Sequence, residues 1–135
     1  MSFIIDKLTN SIENSISGES FPTIISLVNA DNKRNIKKSE WVFDWQKEFK
    51  NSGNEIYMLT TSSNPSIIQG LICLTDKKDH IFMHLIESAK FNKGRKKLYR
   101  GVAGNLIAFA CKMAFDKKYD GVVSFIAKNT VDRSL

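Results

Sequence analysis

The stretch KGRKKLYRGVAGNL, residues 93–106, decides the fold of this chain. It places five cations and no acid in residues 93–100, then a turn of small residues, then an apolar segment. Glycine and alanine in the turn let backbone amides approach one another and point in one direction. A helix that begins there adds unpaired N–H groups and the positive end of its dipole. The pattern therefore predicts an anion site, and phosphate is the usual anion at such a helix start.

Two better-known phosphate motifs do not fit this turn. A nucleotide P-loop needs Gly-Lys-Ser/Thr at the helix start, whereas Gly104 is followed by Asn105. The dinucleotide fingerprint needs three glycines in the pattern Gly-x-Gly-x-x-Gly, whereas only Gly101 and Gly104 are present. The alternative is a tight loop-to-helix turn with a solvated basic lead-in, because short glycine motifs often occur without a ligand.

The segments around the turn predict a crossover unit within a larger sheet. Residues 80–88 predict a strand, residues 102–118 predict a helix that is apolar nearly all round at its start and therefore buried, and residues 121–126 predict a second strand. The crossover implies that the two strands form a parallel or splayed pair. Three further groups of segments are predicted: a hairpin over 55–61 and 67–74, strands over 8–16 and 22–28, and a short helix over 40–50 capped by Ser39. The fold class predicted is α/β (α+β), with a mixed, mainly antiparallel central sheet.

Length, charge and hydropathy limit the class of protein. A chain of 135 residues predicts one domain over residues 1–135. Cys73 and Cys111 lie in apolar runs and predict buried thiols in a reducing compartment. No apolar run approaches a membrane span, and the first residues do not resemble a secretory signal, so we expect a cytoplasmic location without a membrane partner. The net charge of +6 suits an anionic ligand, and its concentration in one loop favours a compact phosphate over nucleic acid.

The order strand, basic glycine turn, helix, strand resembles the central motif of GNAT-type N-acetyltransferases, whose signature is Gln/Arg-x-x-Gly-x-Gly/Ala. Residues 101–103, Gly-Val-Ala, fit the second half of that signature, and the likeness covers residues 40–128. Leu98 departs from the first position, and Arg100 and Lys97 are close enough in sequence to supply the charge. The resemblance implies an acyl-CoA-dependent transfer of an acetyl group from acetyl-CoA to an amine of unknown identity.

The resemblance also implies the residues that hold the cofactor. The CoA pyrophosphate is expected on the glycine turn, and the pantetheine arm is expected along the preceding strand, where it pairs with main-chain groups. The implied cofactor-binding residues are Leu85, Ile86, Lys97, Arg100, Gly101, Val102, Ala103, Gly104 and Asn105. In this family a carboxylate near that strand often acts as a base.

Glu87 is the candidate catalytic base. Alternate residues of a strand share a face, so Ile81, Met83, Leu85 and Glu87 are expected on one face, with the carboxylate ending an apolar row. A partly desolvated carboxylate there is suited to removing a proton from an amine near neutral pH. The alternative is that Glu87 is simply a solvated strand end.

Two histidines do not predict a metal site. His80 and His84 are four residues apart on a strand, which separates them by about 13 Å along its axis, too far for one ion. No pattern of cysteine and histidine completes a zinc site. We therefore expect no metal, and we expect His84 to be packed or hydrogen-bonded within the sheet.

The resemblance leaves the acceptor side of the site open. GNAT-like chains normally continue past the last strand with a helix and two more strands, which the single domain 1–135 is expected to lack. A non-catalytic acyl-CoA-binding or regulatory module on the same fold is therefore one alternative. A basic protein-interaction domain with an incidental glycine turn is another. An apolar last strand also predicts a homodimer, unless residues 1–29 cover that edge.

Overall fold

Seven strands form a single sheet in the part of the chain described by the computed structural model, residues 11–119 and 123–125. The strands are β1 (Ser11–Asn14), β2 (Ser20–Leu27), β3 (Glu55–Thr61), β4 (Gly70–Asp76), β5 (Ile81–Ser88), β6 (Tyr99–Arg100) and β7 (Val123–Phe125). The helices are α1 (Trp45–Phe49) and α2 (Val102–Asp116), and 3₁₀ turns occur at Lys33–Asn35, Lys38–Glu40 and Lys90–Asn92. Predictions for residues 1–10, 120–122 and 126–135 lie outside the described residues.

The sheet has the order β6-β1-β2-β3-β4-β5-β7. All neighbours are antiparallel except β5 and β7, which run parallel with Ile81 opposite Val123 and Met83 opposite Phe125. A parallel pair needs a long crossover, and α2 lies within the segment that supplies it. The predicted mixed α/β fold with a mainly antiparallel sheet is confirmed.

Two apolar clusters lie on opposite faces of this sheet. Ile72 and Leu74 of β4 pack in a cluster that includes the buried side of α2. Leu71 and Cys73 alternate with them and pack in the other cluster. That cluster also contains Trp41, just before α1, and Trp45, the first residue of α1. Because successive side chains of a strand point to opposite faces, β4 contributes to both clusters at once.

Helix α2 is buried on one side only, among the described residues. Leu106, Ala110 and Ala114 recur at four-residue intervals and lie against the sheet. Phe115 is 68% exposed, and Cys111 is also exposed. The predictions that this helix is buried nearly all round and that Cys111 is a buried thiol are therefore wrong. Cys73 is buried as predicted, and burial raises the pKa of its thiol to about 12.

A β-bulge interrupts the alternation of side chains in β5. The register with β4 shifts between Cys73, which pairs with Leu85, and Leu74, which pairs with Met83. His84 is therefore the extra residue on β5. Bulges of this kind change which residues of a strand point to each face.

The bulge separates residues that were expected to share a face. Ile81 and Met83 belong to the cluster under α2, whereas Leu85 packs in the cluster on the other face, on the same side as the partners of Glu87. The expectation of one apolar row ending at Glu87 is wrong, because simple alternation cannot register an inserted residue.

The helix predicted from Glu40 begins later, at Trp45. Asp44 is its N-cap, and the side chain of Asp44 accepts the N–H of Lys47 at 3.2 Å, so the prediction of Ser39 as the cap is wrong. The physical reason is that the backbone of Trp41 is extended, with φ −128° and ψ 145°, and that the N–H of Phe43, which a helix from Glu40 would direct to Ser39, donates to a buried carboxylate. That carboxylate is Glu87.

Candidate functional site

Gly101 is the junction between β6 and α2. Its φ of +94° lies in the left-handed region, which favours glycine because a side chain there is strained. No side chain caps α2, and no acid lies in its first turn. The first hydrogen bond within the helix runs from the N–H of Asn105 to the carbonyl of Gly101 at 2.9 Å. The N–H groups of residues 102–104 come before this bond and have no acceptor within the helix.

The surface of this turn is open at its glycines. Gly101 and Gly104 are both exposed, and a Cβ added at Gly104 meets no atom within 4 Å. Ala103 is half-buried. A start of this kind presents amide hydrogens and the positive end of the helix dipole to solvent, which is the arrangement that binds anions.

Asn105 holds the turn against the sheet. Its Nδ2 donates to the carbonyls of Gly101 at 2.6 Å and Ser11 at 3.0 Å, and its Oδ1 accepts the hydroxyl of Thr23 at 3.3 Å. The buried side chain of Asn105 is thus committed to joining α2 to β1 and β2. Val102 is also buried, in the core under α2, so its contribution to a ligand is limited to its backbone.

The basic loop before the turn is closed at its base. The N–H of Leu98 donates to the carbonyl of Phe91 at 2.7 Å, and Oδ1 of Asn92 accepts the N–H of Tyr99 at 3.0 Å. Nδ2 of Asn92 donates to Gln69 on the segment that leads into β4. These hydrogen bonds therefore join the two ends of the loop, and the cations Arg95, Lys96 and Lys97 lie between them.

Four of the five cations in this stretch remain at the surface. Arg95, Lys96 and Arg100 are exposed and Lys97 is half-buried. Lys93 instead points inward, and its side chain is only 15% exposed. The Lys93 charge is therefore paired within the fold and does not contribute to an anion site.

Glu87 is a buried carboxylate with four hydrogen-bond donors. Oε1 accepts the N–H of Phe43 at 3.2 Å and the indole N–H of Trp45 at 2.8 Å. Oε2 accepts the N–H of Val42 at 2.6 Å and Nζ of Lys93 at 3.0 Å. Its side chain is 2% exposed, so the alternative of a solvated strand end is wrong.

These contacts limit what Glu87 can do chemically. Two donors on each oxygen occupy the positions from which a carboxylate accepts a proton. A base at Glu87 has to exchange one of those donors for the substrate amine. These partners could not be predicted from the sequence, because all but Lys93 lie more than forty positions away from Glu87 along the chain.

Leu85 and Ile86, the predicted partners of the pantetheine arm, are both buried. Leu85 packs on the face toward α1, and Ile86 on the face toward α2. Their side chains pack in the two apolar clusters, so only their backbone groups could contact a cofactor. The ladder described between β5 and β7 spans Ile81–Met83, and these two residues follow it in the strand.

The histidine of the bulge takes part in a polar contact within the sheet. Nε2 of His84 lies 2.6 Å from the hydroxyl of Thr75, which confirms the expectation of a hydrogen-bonded histidine. Across residues 11–119 and 123–125, no three His, Cys, Asp or Glu side chains are grouped so that they could hold a metal ion. Neither α1 nor α2, the helices described, is long and apolar enough to cross a membrane.

A cleft that the sequence did not predict lies on the face of the sheet toward α1. Its volume is about 340 Å³, and it opens between three segments: residues 35–41, residues 66–68 and residues 89–91. These segments are distant in sequence and none carries a recognisable motif. Comparison of this chain with protein-family models, curated proteins and solved structures gives no match.

Proposed function

We propose that this chain binds acetyl-CoA through the start of α2 and transfers the acetyl group to an amine. The observation that carries the proposal is the open start of α2, where a left-handed glycine takes the place of a capping side chain. The CoA pyrophosphate supplies the negative charge that this start lacks. Its oxygens accept the N–H groups of residues 102–104.

Charge around the turn supports a phosphate ligand of this kind. Arg100 is exposed and directly precedes Gly101, and Lys97 lies three residues earlier. Cations beside a helix start raise the local concentration of a multiply charged anion and strengthen its binding. The two predicted cations are therefore proposed to bind the phosphates, together with the backbone N–H groups of Val102, Ala103 and Gly104.

The position of α2 supports the hypothesis of a GNAT-like cofactor site. The helix follows β5 along the chain and precedes β7, which pairs with β5 in parallel. A cofactor on the start of α2 has its reactive end directed along β5, where Leu85 and Ile86 offer backbone groups to the pantetheine arm. In the transfer, the amine nitrogen bonds to the acetyl carbon, the C–S bond breaks, and the amine gives up a proton while CoA leaves as the thiol.

Glu87 is the proposed base for that proton, and this role stays a prediction. The amine competes with the indole of Trp45 and the ammonium of Lys93 for the carboxylate oxygens. If Glu87 acts in this way, Glu87→Gln lowers turnover by about 10²-fold and removes the rise of rate with pH, while CoA binding persists.

A second candidate is a non-catalytic acyl-CoA-binding module. It is favoured by the four donors that already occupy Glu87. A protein of this kind binds acetyl-CoA at the same turn but releases no thiol in the presence of amines. A turnover assay with a panel of amines separates the two candidates.

Substitution at Gly104 tests the cofactor site without disturbing the fold. Gly104→Asp places a negative charge in the first turn of α2, where an acid stabilises a helix by about 0.3–1 kcal/mol. The same charge repels pyrophosphate, so we expect CoA affinity to fall by about tenfold or more. Gly104→Asn is the matched control, because it has the same shape without the charge.

Calorimetry with CoA and thermal melts of both variants give the answer. We expect Gly104→Asp to melt at or above the wild-type temperature and to bind CoA more weakly than Gly104→Asn. The absence of CoA binding to the wild type at millimolar concentration would overturn the proposal and favour a basic protein-interaction domain. Equal affinities of the two variants for CoA would show that the start of α2 does not contact the cofactor.

A further inference from the structure

The cleft on the face toward α1 lies at the same end of the sheet as the start of α2. Gly70, the first residue of β4, pairs with Ser88, the last residue of β5, and Val102 of α2 packs directly over Gly70. Ala89, the residue after that pair, donates its N–H to the carbonyl of Gln69 at 2.9 Å. Ala89 lines the cleft, so the cleft and the start of α2 converge on one pair of strand ends.

The walls of the cleft are largely apolar and include exposed side chains. Trp41 and Ala89 are buried and form part of its inner surface. Ile67 and Phe91 also line it, and they remain 40% and 41% exposed. A concave surface of this size, with large apolar groups still in contact with water, has the properties of a small-molecule site.

One carboxylate gives the cleft its chemical preference. Glu40 lines the cleft and is exposed, and among the described residues no cation lies within ion-pair distance of it. The cation of the same cleft, Lys90, donates from Nζ to the carbonyl of Ser39 at 2.7 Å and so bridges two of its walls. The Lys90 ammonium keeps its charge but is held by that carbonyl, whereas the Glu40 carboxylate has no hydrogen bond or ion pair with another described residue and is therefore the group left to bind a cationic ligand.

We infer that this cleft binds a primary amine carried on a flat apolar body, with the ammonium at Glu40 and the body between Trp41, Ile67 and Phe91. The inference deepens the proposed function, on which it rests, by making such an amine the acetyl acceptor. The amine reaches the cleft from the face of the sheet opposite α2. Its nitrogen meets the acetyl group beside β5, the strand along which the reactive end of the cofactor is directed.

A panel of three ligands with the same ring tests the inference: phenethylamine, phenethyl alcohol and phenylacetate. Calorimetry and ligand-observed NMR measure their binding to the full chain, with and without saturating CoA. We expect the amine to bind about tenfold more tightly than the alcohol, because its ammonium makes a charge-assisted bond to Glu40. Phenylacetate is expected to bind most weakly of the three.

Two variants and one control assign the binding to this cleft. Glu40→Gln is expected to reduce amine affinity to that of the alcohol and to leave alcohol binding unchanged. Phe91→Ser is expected to weaken both ligands together. Glu19→Gln, at the turn between β1 and β2, removes an exposed carboxylate outside the cleft and is expected to change neither affinity.

The outcomes separate the cleft from the cofactor site. A preference for the amine that Glu40→Gln abolishes supports the cleft, whatever the CoA titration gives. Equal binding of the three ligands, a preference that survives Glu40→Gln, or no amine binding at millimolar concentration in either state overturns it. Amine binding in the cleft by a protein that also binds CoA but transfers no acetyl group overturns the acceptor assignment alone.

Discussion

At the scale of single residues, Glu87 connects the basic loop after β5 to the start of α1, which is more than forty residues away in sequence. Its partners come from the segment before α1, from α1 itself and from the basic loop after β5. A carboxylate with almost no exposure is tolerated only where donors replace the water that it has lost. The four donors of Glu87 therefore decide where α1 begins and which way Lys93 points.

We predict that Glu87→Gln lowers the free energy of unfolding by about 3 kcal/mol, because a buried set of donors then faces an amide with fewer acceptor positions. Urea unfolding of the variant measures the loss, with Glu19→Gln as an exposed control. A change within the error of the control would mean that the carboxylate is not required by the fold. Catalytic measurements on Glu87→Gln are interpretable only after this result.

Asp76 makes stability depend on pH in the acid range. It accepts the N–H of Lys78 and the hydroxyl of Tyr119, each at 2.8 Å, and pairs with Lys117. The bond from Lys78 is the largest cause that lowers the pKa of this carboxyl from 3.8 to about 2, and the hydroxyl of Tyr119 adds to it. A lowered folded pKa stabilises the protein above the unfolded value, and that stabilisation is lost as pH falls from about 4 to about 2.

We predict that Asp76→Asn is less stable than the wild type at pH 5 and that the gap narrows as pH falls toward 2. The asparagine of the variant does not titrate, whereas protonation of Asp76 between about pH 4 and about pH 2 removes the stabilisation that the wild type gains from this carboxylate. Thermal melts at several pH values across this range measure the gap. A gap that is constant with pH would contradict the assignment.

The sequence indicated the glycine turn but not the contacts that hold it. A left-handed glycine, a helix start and neighbouring cations are local features, and residues 93–106 carry all of them. The partners of Asn105 lie on β1 and β2, and the partners of Glu87 lie near α1. Contacts of that range depend on the whole sheet, which periodicity in one segment cannot encode.

At the scale of elements, the start of α2 packs against the sheet directly over Gly70. A Cβ at this position would lie 2.6 Å from Cγ1 of Val102, 3.0 Å from Cδ1 of Leu106 and 3.2 Å from the carbonyl oxygen of Glu87. A glycine at the first residue of β4 thus sets the depth at which α2 begins. Any displacement of α2 there also displaces the turn at Gly101.

We predict that Gly70→Ala destabilises the protein by about 1–3 kcal/mol, because the added methyl group overpacks the contact with α2. Val102→Ala in the same chain removes Cγ1 and is expected to recover part of the loss, so the two changes are not additive. Gly53→Ala is the control, since its Cβ meets only ordinary contacts at 3.6 and 3.9 Å. Additive effects in urea unfolding would show that the close contact carries no strain.

The elements themselves were predictable to different degrees. The four-residue spacing of Leu106, Ala110 and Ala114 marks the buried side of α2, and the hairpin of β3 and β4 follows from its apolar runs and turn. The bulge at His84 could not be predicted from the spacing of apolar residues, because both faces of β5 carry apolar side chains. The late start of α1 could not be predicted for a different reason: the N–H of Phe43, which would close the first turn of the expected helix, donates to the distant side chain of Glu87.

At the scale of the whole molecule, the sheet has β6 at one end of its strand order and β7 at the other. The alternative that residues 1–29 cover the edge at β7 is wrong for the described residues 11–27, because β1 and β2 lie toward β6. Among the described residues β7 has one neighbour, β5. A strand edge whose backbone groups find no partner in their own chain favours pairing with a second chain.

We predict that the protein forms a homodimer through the edge at β7. Light scattering after size exclusion is expected to give twice the chain mass of 15.3 kDa at micromolar concentration, with dissociation on dilution. A mass of one chain at every concentration would exclude the dimer. A mass that falls with added salt instead of with dilution would point to association through the basic loop.

The strand order also decides when the sheet can close as the chain leaves the ribosome. The five central strands, β1 to β5, are complete once residue 88 has been made, whereas β6 and β7, which flank them, come from residues 99–125. A nascent chain of which about ninety residues have emerged from the exit tunnel therefore has a sheet without α2 to cover one face and without a strand on either side. We expect stalled chains whose emerged part ends between β5 and α2 to recruit chaperones, and we expect stalled chains whose emerged part includes β7 to recruit fewer.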